Sequence, residues 1–525
     1  MTNQHYDDNE VIKKRNKLAY LLIAFHQGVS YISKLAVQYF FKDELKIEPH
    51  ILAQINSITE LPWAIKPLLG MLTDFFPIFG YRRKVYIIIC GIVNLLCWMM
   101  MATYTHTTEV ACIVIFLVNL TLSFCSVLGE AVVVELSQLE SSDKDSKAKD
   151  LVSLFFLSRT VGELISAYLK GLFVDIMPLR QIFFIACFIP SMLVIAGFML
   201  IEKKVGSDYG SNYSSRNTNS RLNLDEERPI LAGETRNANE NNNNNYGSTT
   251  RPGEGNQQIH SITGEQRRRH NKRTSIPDIF AFLCQKHILL PLSFIIVFKM
   301  GPSYQDAFFY FITNELKLNA TDLGKISFCS TLAILFAILF YKAFLKKVNF
   351  KTMIVIGTLI SFLISLSAYL LVLRVNLDIG ISDFAVLLFA NSFLSMVGEF
   401  VLLPILSLAC ILCPKNMEGT VYSFFMSSLN LGGILSSVNG GIATSLLGIS
   451  STNYENLHWL ILISKISNLL PLPMLLCIDE KYLNPELEGE EELNKQQKEV
   501  TSVVENDNEK IDIPVVEQKS SSDLK

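Results

Sequence analysis

Half of the 525 residues are apolar, 18% are charged and the formal net charge is −3. The charge gathers in the termini, the short loops and one central stretch, so the apolar remainder faces lipid or a helix bundle and is not the core of a soluble protein. A balance so near neutrality gives no footprint for a nucleic-acid partner, and the cysteines show neither disulfide nor zinc spacing.

In chain order, Met1 to Lys17 is polar, carries Lys13, Lys14, Arg15 and Lys17, and leads straight into a full-length apolar segment, which would itself direct insertion. Segments of about 20 apolar residues can cross a ~30 Å hydrocarbon layer. Such segments begin near Leu18, Ile51, Val85, Val110, Leu151 and Gln181, and again near Ile288, Asp322, Thr352, Asp383, Gly419 and Leu457. The expectation is an all-α membrane protein of twelve transmembrane helices in two six-helix halves, residues 18–201 and 277–478. A polytopic protein in two six-span halves is mostly a transporter.

The halves flank a polar stretch, 202–276, with an Asn run from Asn239 to Asn245 broken only by Glu240, and a basic patch at Arg267-Arg268-Arg269-His270-Asn271-Lys272-Arg273. It reads as a disordered cytoplasmic linker, as does the acidic tail 479–525. Lys and Arg concentrate in the N-terminal segment 1–17, at Arg82-Arg83-Lys84, in the linker and at Lys342/Lys346/Lys347/Lys351. That bias places both termini in the cytoplasm, with the plasma membrane as the default location and an internal organelle as the alternative. No catalytic motif, metal cluster or cofactor fingerprint accompanies these elements, so an enzyme is not expected.

A charge at the bilayer centre costs about 2.5–3.5 kcal/mol on the insertion scale, so charged residues in spans face the bundle interior or a water-filled cavity. Counting inward at 1.5 Å per residue, Lys66 and Glu135 fall about 10–12 Å deep, and Arg159, Glu130, Lys299 and Glu399 roughly 15–21 Å deep. Matching depths suggest Glu130 with Arg159 and Lys66 with Glu135 as pairs, and Gly162 is expected to leave room beside Arg159. Glu399 and Lys299, on different spans, are expected to meet substrate or proton. A buried carboxyl suits proton transfer, so Glu130 and Glu399 are the coupling candidates ahead of the exposed Asp74. Phe308 opens an aromatic run that either stacks on a flat heterocycle or forms an interfacial belt. Pro62, Pro67, Pro302, Pro404 and Pro471 are expected kinks. Gly432 and Gly433 suggest close helix packing, and Asn430 either a ligand contact or, ahead of it, a satisfied interhelical hydrogen bond.

After span two the chain reads Gly70-Met-Leu-Thr-Asp74, then Gly80-Tyr-Arg82-Arg83-Lys84. A small residue allows close helix approach, and an acid before a basic cluster can form a breakable latch. This resembles, in stretched form, the G-x-x-x-D-x-x-G-R-R/K signature of the major facilitator superfamily. Three longer strings narrow the resemblance: Leu61-Pro62-Trp63-Ala64-Ile65-Lys66-Pro67-Leu68, Ala307-Phe308-Phe309-Tyr310-Phe311-Ile312-Thr313-Asn314-Glu315-Leu316, and Leu412-Cys413-Pro414-Lys415-Asn416-Met417-Glu418-Gly419-Thr420. Together they resemble the folate-biopterin transporter branch of that superfamily, and the Asn-rich insertion is similar to those of malaria-parasite proteins.

The resemblance implies a major facilitator fold carrying folates, pterins or related aromatic acids such as p-aminobenzoate. Its substrate contacts would come from Glu130, Arg159, Lys299, Glu399, Lys66 and Phe308. A carboxylate can accept the adjacent N–H donors of a pterin ring, and Arg or Lys suits the anionic end. Gly70, Asp74, Arg82, Arg83, Glu135 and Glu418 are assigned to gating and structure. One departure concerns span four, where the family pattern Asp-Ala-Leu-Val-Val-Glu is replaced by Glu130-Ala131-Val132-Val133-Val134-Glu135. The carboxylate reaches about one methylene further, which changes pocket size. Protons are the expected coupling partner. The alternatives are a carrier of another organic anion or drug, and a non-transporting nutrient sensor or scaffold.

Overall fold

The computed structural model of the chain describes residues 2–138, 144–202, 204, 281–345, 348–411 and 418–478. They are almost wholly helical. The first half contains α1 (Thr2–Val29), α2 (Lys34–Tyr39), α3 (Pro49–Ala64), α4 (Lys66–Phe75), α5 (Lys84–Thr103), α6 (Thr108–Gln138), α7 (Lys144–Ile176), α8 (Leu179–Ala186) and α9 (Ser191–Met199). The second contains α10 (Lys286–Lys299), α11 (Gln305–Asn314), α12 (Ala320–Phe340), α13 (Phe350–Val372), α14 (Asp383–Ile411), α15 (Glu418–Leu446) and α16 (Leu457–Ser467). Seven stretches among the described residues are long and apolar enough to cross a membrane, including α8 with α9 taken together. Helix α1 reaches back to Thr2, ahead of the expected start at Leu18.

Several passages are broken helices, and the breaks follow from proline. Pro67 has no N–H to give the carbonyl of Trp63, and α3 ends at Ala64 with α4 starting at Lys66. Pro302 lies in the break between α10 and α11, and Pro190 directly precedes α9. Pro62 and Pro404, expected kinks, lie inside continuous helices. Pro471 caps a short 3-10 turn, Leu472–Cys477.

The side bearing the start of α1 is called here the terminal face, and the opposite side the far face. On the far face one apolar core joins both halves, running from Leu35, Phe40 and Phe183 to Phe308, Phe311 and Leu457. Towards the terminal face the cores separate: Tyr20, Ile23, Phe124 and Leu193 belong to the first half, and Ile295, Ile354, Ile405 and Phe425 to the second.

Glycines allow the halves to meet backbone to backbone on the far face. A Cβ at Gly171 in α7 would lie 2.3 Å from the carbonyl of Ala320 in α12, and one at Gly441 in α15 would lie 2.8 Å from that of His50 in α3. Carboxylates then cap the junctions. Asp175 accepts the backbone N–H groups of Ala320 and Thr321, at 3.1 and 2.7 Å, satisfying the first turn of α12 from the opposite half. Glu48 accepts both the N–H and the hydroxyl of Ser451, each at 2.7 Å. The Tyr310 hydroxyl donates to the carbonyl of Ile47. In the far-face loop, Tyr454 donates to the Ser451 carbonyl at 2.6 Å and accepts from Asn314 at 2.9 Å. Burial pushes its hydroxyl up to about 12, outweighing the opposing Asn314 bond, so this node stays protonated at neutral pH.

Candidate functional site: a charged centre between the halves

At mid-depth α7 carries Arg159 and Glu163 on one face, four residues apart, with Arg159 Nε 2.9 Å from Glu163 Oε1. The two side chains are 33% and 28% exposed, so the pair borders an open space and is not sealed between helices. From the second half, Glu399 of α14 lies within electrostatic reach of Glu163, Lys299 and Arg159. Lys299 is the last residue of α10, at the break in its passage, where a cation is favoured by the unsatisfied carbonyls of the helix end. It too is solvent-accessible. Two acids and two bases, drawn from both halves, therefore share one layer.

The structure places Arg159, Lys299 and Glu399, which the sequence reading set at similar depths, within reach of a common centre, and adds Glu163, which that reading missed. The available signal was the four-residue spacing of opposite charges inside an apolar segment. The side chains of Glu130 and Glu135, and so both pairings expected for them, lie outside the described residues. The room expected beside Arg159 at Gly162 is a correction: α1 fills it, and a Cβ at 162 would lie 2.8 Å from the carbonyl of Phe25.

Lys66 is buried at 3% exposure, with its ammonium 2.9 Å from Ser126 Oγ and 4.9 Å from the centre of the Trp63 ring. It is held between α4 and α6 rather than presented to a cavity. The break beside it is stitched from the second half, because Asn430 Nδ2 donates at 2.9 Å to the Trp63 carbonyl that Pro67 leaves without a donor. The break between α10 and α11 is repaired in the same way: Asn439 donates to the Met300 carbonyl at 2.8 Å and Ser436 Oγ to that of Gly301. Asn430 is thus the interhelical bond expected of it. Gly432 is a close-packing site, 2.6 Å from Lys299 Cβ if given a Cβ, whereas Gly433 meets nothing within 4 Å.

Phe308 is 8% exposed, edge-on to Tyr304 and stacked with Phe311. It belongs to the far-face core and is not open to a heterocycle in this state. Gly70 makes only an ordinary contact, 3.4 Å to Val127 if given a Cβ, so the close approach expected there is absent. The side chains of Asp74 and Glu418 lie outside the described residues. The backbone N–H groups of Arg82, Arg83 and Lys84 converge on the Glu202 carboxylate at 2.9, 3.1 and 2.9 Å, an anchor that the sequence did not suggest. Among the described residues no group of His, Cys, Asp and Glu could hold a metal ion.

Two helical halves, sealed together on one face and lining a charged centre, define a multi-pass membrane protein of the major facilitator fold. The same fold occurs in the crystal structure of nucleoside transporter NupG, with a TM-score of 0.59 at 13% identity over 88% of this chain and 98% of that one. It occurs also in a D-xylose-proton symporter, with a TM-score of 0.55 at 11% identity over 88% and 96%.

The chain belongs to the BT1 family, whose profile matches residues 27–498. It is 30% identical over 458 residues to the "Folate-biopterin transporter" of Synechocystis sp., covering 87% of this chain and 80% of that one. It is 27% identical over 458 residues to "Folate transporter 1" of Plasmodium falciparum, covering 87% and 78%. A relative from Arabidopsis thaliana is 27% identical over 485 residues, covering 88% and 94%. Relatives in a cyanobacterium, a parasite and a plant assign the family without assigning a source. The family and these relatives are transporters, not enzymes.

Proposed function

We propose that this protein is a secondary active carrier of folates, pterins or related aromatic acids such as p-aminobenzoate, working by alternating access. The observation that carries the reading is the mid-depth constellation of Arg159, Glu163, Lys299 and Glu399, contributed by both halves, with the Arg159–Glu163 pair partly exposed. Charges at that depth are costly unless used, and a ligand bridging them would sense the rocking of one half against the other. The names of the relatives supply the cargo class. Arg159 and Lys299 take the anionic end of the ligand, and Glu399, with Glu130, reads the N–H edge of the ring.

The termini and the central linker face the cytoplasm, so the far face is extracellular if the plasma membrane is the site. Bringing an anion in against an inside-negative potential costs about 2.3 kcal/mol per charge per 100 mV, so uptake is coupled to protons. Glu130 and Glu399 are the carboxyls assigned to that coupling at the cargo site.

The test is uptake of radiolabelled folic acid, 5-methyltetrahydrofolate and p-aminobenzoate from acidic and neutral medium into cells expressing the wild type or Arg159→Ala. Saturable, acid-stimulated uptake that is lost in the variant at equal surface expression is the expected result. A surface-localised wild type that moves none of them overturns the cargo assignment. Uptake indifferent to external pH and to an uncoupler overturns the proton coupling alone.

A further inference from the structure

A second polar cluster lies on the far-face side of the charged centre, where the two halves meet. Asp306, in the first turn of α11, is 9% exposed, and its Oδ1 accepts Asn56 Nδ2 from α3 at 2.9 Å, across the interface. Its Oδ2 has no hydrogen-bond donor, and no lysine or arginine pairs with it among the described residues. The charged groups acting on Asp306 are Glu60, one turn along α3 from Asn56, and Lys34 of α2.

The neighbouring cations face elsewhere. Lys170 of α7 donates to Ser327 Oγ at 2.6 Å, Lys465 of α16 lies over the Tyr304 ring at 5.1 Å, and Lys42 lies over the Tyr39 and Tyr310 rings at 5.4 and 6.0 Å. Lys34 is exposed and Glu60 half-buried, whereas the buried Asp306 carboxylate holds one hydrogen bond and no paired cation, and a charge so placed is costly. The smallest ion that removes it is a proton on the free Oδ2, with Oδ1 keeping the Asn56 N–H.

We propose that Asp306, with Glu60, Asn56 and Lys34, is a proton-binding site on the far-face side of the cargo site, loaded when the halves part there and closed when they meet. The Asn56–Asp306 bond spans the halves, so opening the far face must break it. Proton occupancy and far-face closure are thereby linked, and each biases the other. The site rests on the proposed carrier reading for its role in coupling, and stands on geometry alone as a titrating carboxyl.

Two measurements on the purified full-length protein in liposomes separate these dependences. The first is the infrared difference spectrum between mildly acidic and neutral buffer. The carboxylic acid signal of the wild type is expected to lose one component in Asp306→Asn, distinct from any component lost in Glu399→Gln; a signal unchanged by Asp306→Asn overturns the site whether or not any cargo moves. The second compares counterflow of preloaded p-aminobenzoate at equal pH with accumulation driven by a pH gradient. In Asp306→Asn, counterflow is expected to stay near the wild-type rate while a roughly tenfold pH-driven accumulation falls to about onefold.

Accumulation kept at the wild-type level in Asp306→Asn overturns the site, and accumulation driven by a sodium gradient at fixed pH identifies the cation as sodium and overturns the proton. A wild type that moves no cargo defeats the carrier reading and leaves the infrared result to decide. Should Asp306→Asn fail to fold, Glu60→Gln is expected to shift the pH at which that component of the signal appears, and no shift would overturn the pairing of the two carboxyls.

Discussion

The two faces of the molecule are built differently. On the far face the halves share one core and touch through glycine backbones at Gly171 and Gly441, and the first half caps the second with Asp175 and Glu48. Towards the terminal face each half has a core of its own, and Met71 is the side chain of the first half that packs on the core of the second. The stable part of this conformation is therefore the far-face seal, and the charged centre lies on the looser side of it. In a carrier that alternates, such a seal has to be tight enough to exclude water and discrete enough to release. Glycine crossings and a few charged caps meet both needs better than a continuous apolar wall.

The contrast can be broken where it is strongest. Gly171→Leu drives a side chain into the backbone of α12, and overpacking of this kind costs about 1–3 kcal/mol. The far face is expected to stay ajar, with transport down at least about tenfold. Fast labelling of an added Ala307→Cys thiol, which is 2% exposed when closed, would report it.

Arg159→Lys keeps the charge and loses the planar fork. Its expected effect is a weaker apparent affinity for the anionic cargo, by about 1.5–3 kcal/mol, seen as a raised KM in uptake with labelling of Ala307→Cys unchanged. Asn430→Ala leaves the Trp63 carbonyl without a donor and should lower thermal stability in detergent by about 1–2 kcal/mol. Asp175→Asn weakens the cap on α12 by about 1 kcal/mol, a roughly fivefold shift towards the far-open state, read by the same thiol labelling. Gly70→Ala fits its surroundings and should change uptake and melting by less than about 0.5 kcal/mol. A large loss there would mean that α4 moves against α6 during the cycle.

The helical membrane-spanning fold and the breaks at Pro67 and Pro302 were legible in the sequence, because apolar length and the missing proline N–H act locally. Depth too is a count along one helix, and Glu399 does lie within electrostatic reach of Arg159 and Lys299. Direction around the helix is not such a count. Glu163 went unremarked although its four-residue spacing from Arg159 was a local signal, and Asp306 because its neighbours Asn56 and Glu60 are far off in the chain. The room expected beside Arg159 at Gly162 is taken by another backbone, a distinction that only the crossing of α1 and α7 makes. Phe308 was read at an outer edge and lies in a shared core, because the second half supplies one wall of that core and the first half the other.

The bond from Asn430 to the Trp63 carbonyl makes residues 67 and 430 a genetic unit, though they lie in opposite halves of the chain. No replacement of the Trp63 side chain can remove a backbone acceptor. What decides whether Asn430 matters is the residue at 67: restoring an amide there, as in Pro67→Ala, would let the helix satisfy its own carbonyl and make the asparagine dispensable. Drift at one position is thus permitted or forbidden by the other, and relatives that lack this proline have no structural reason to keep the asparagine.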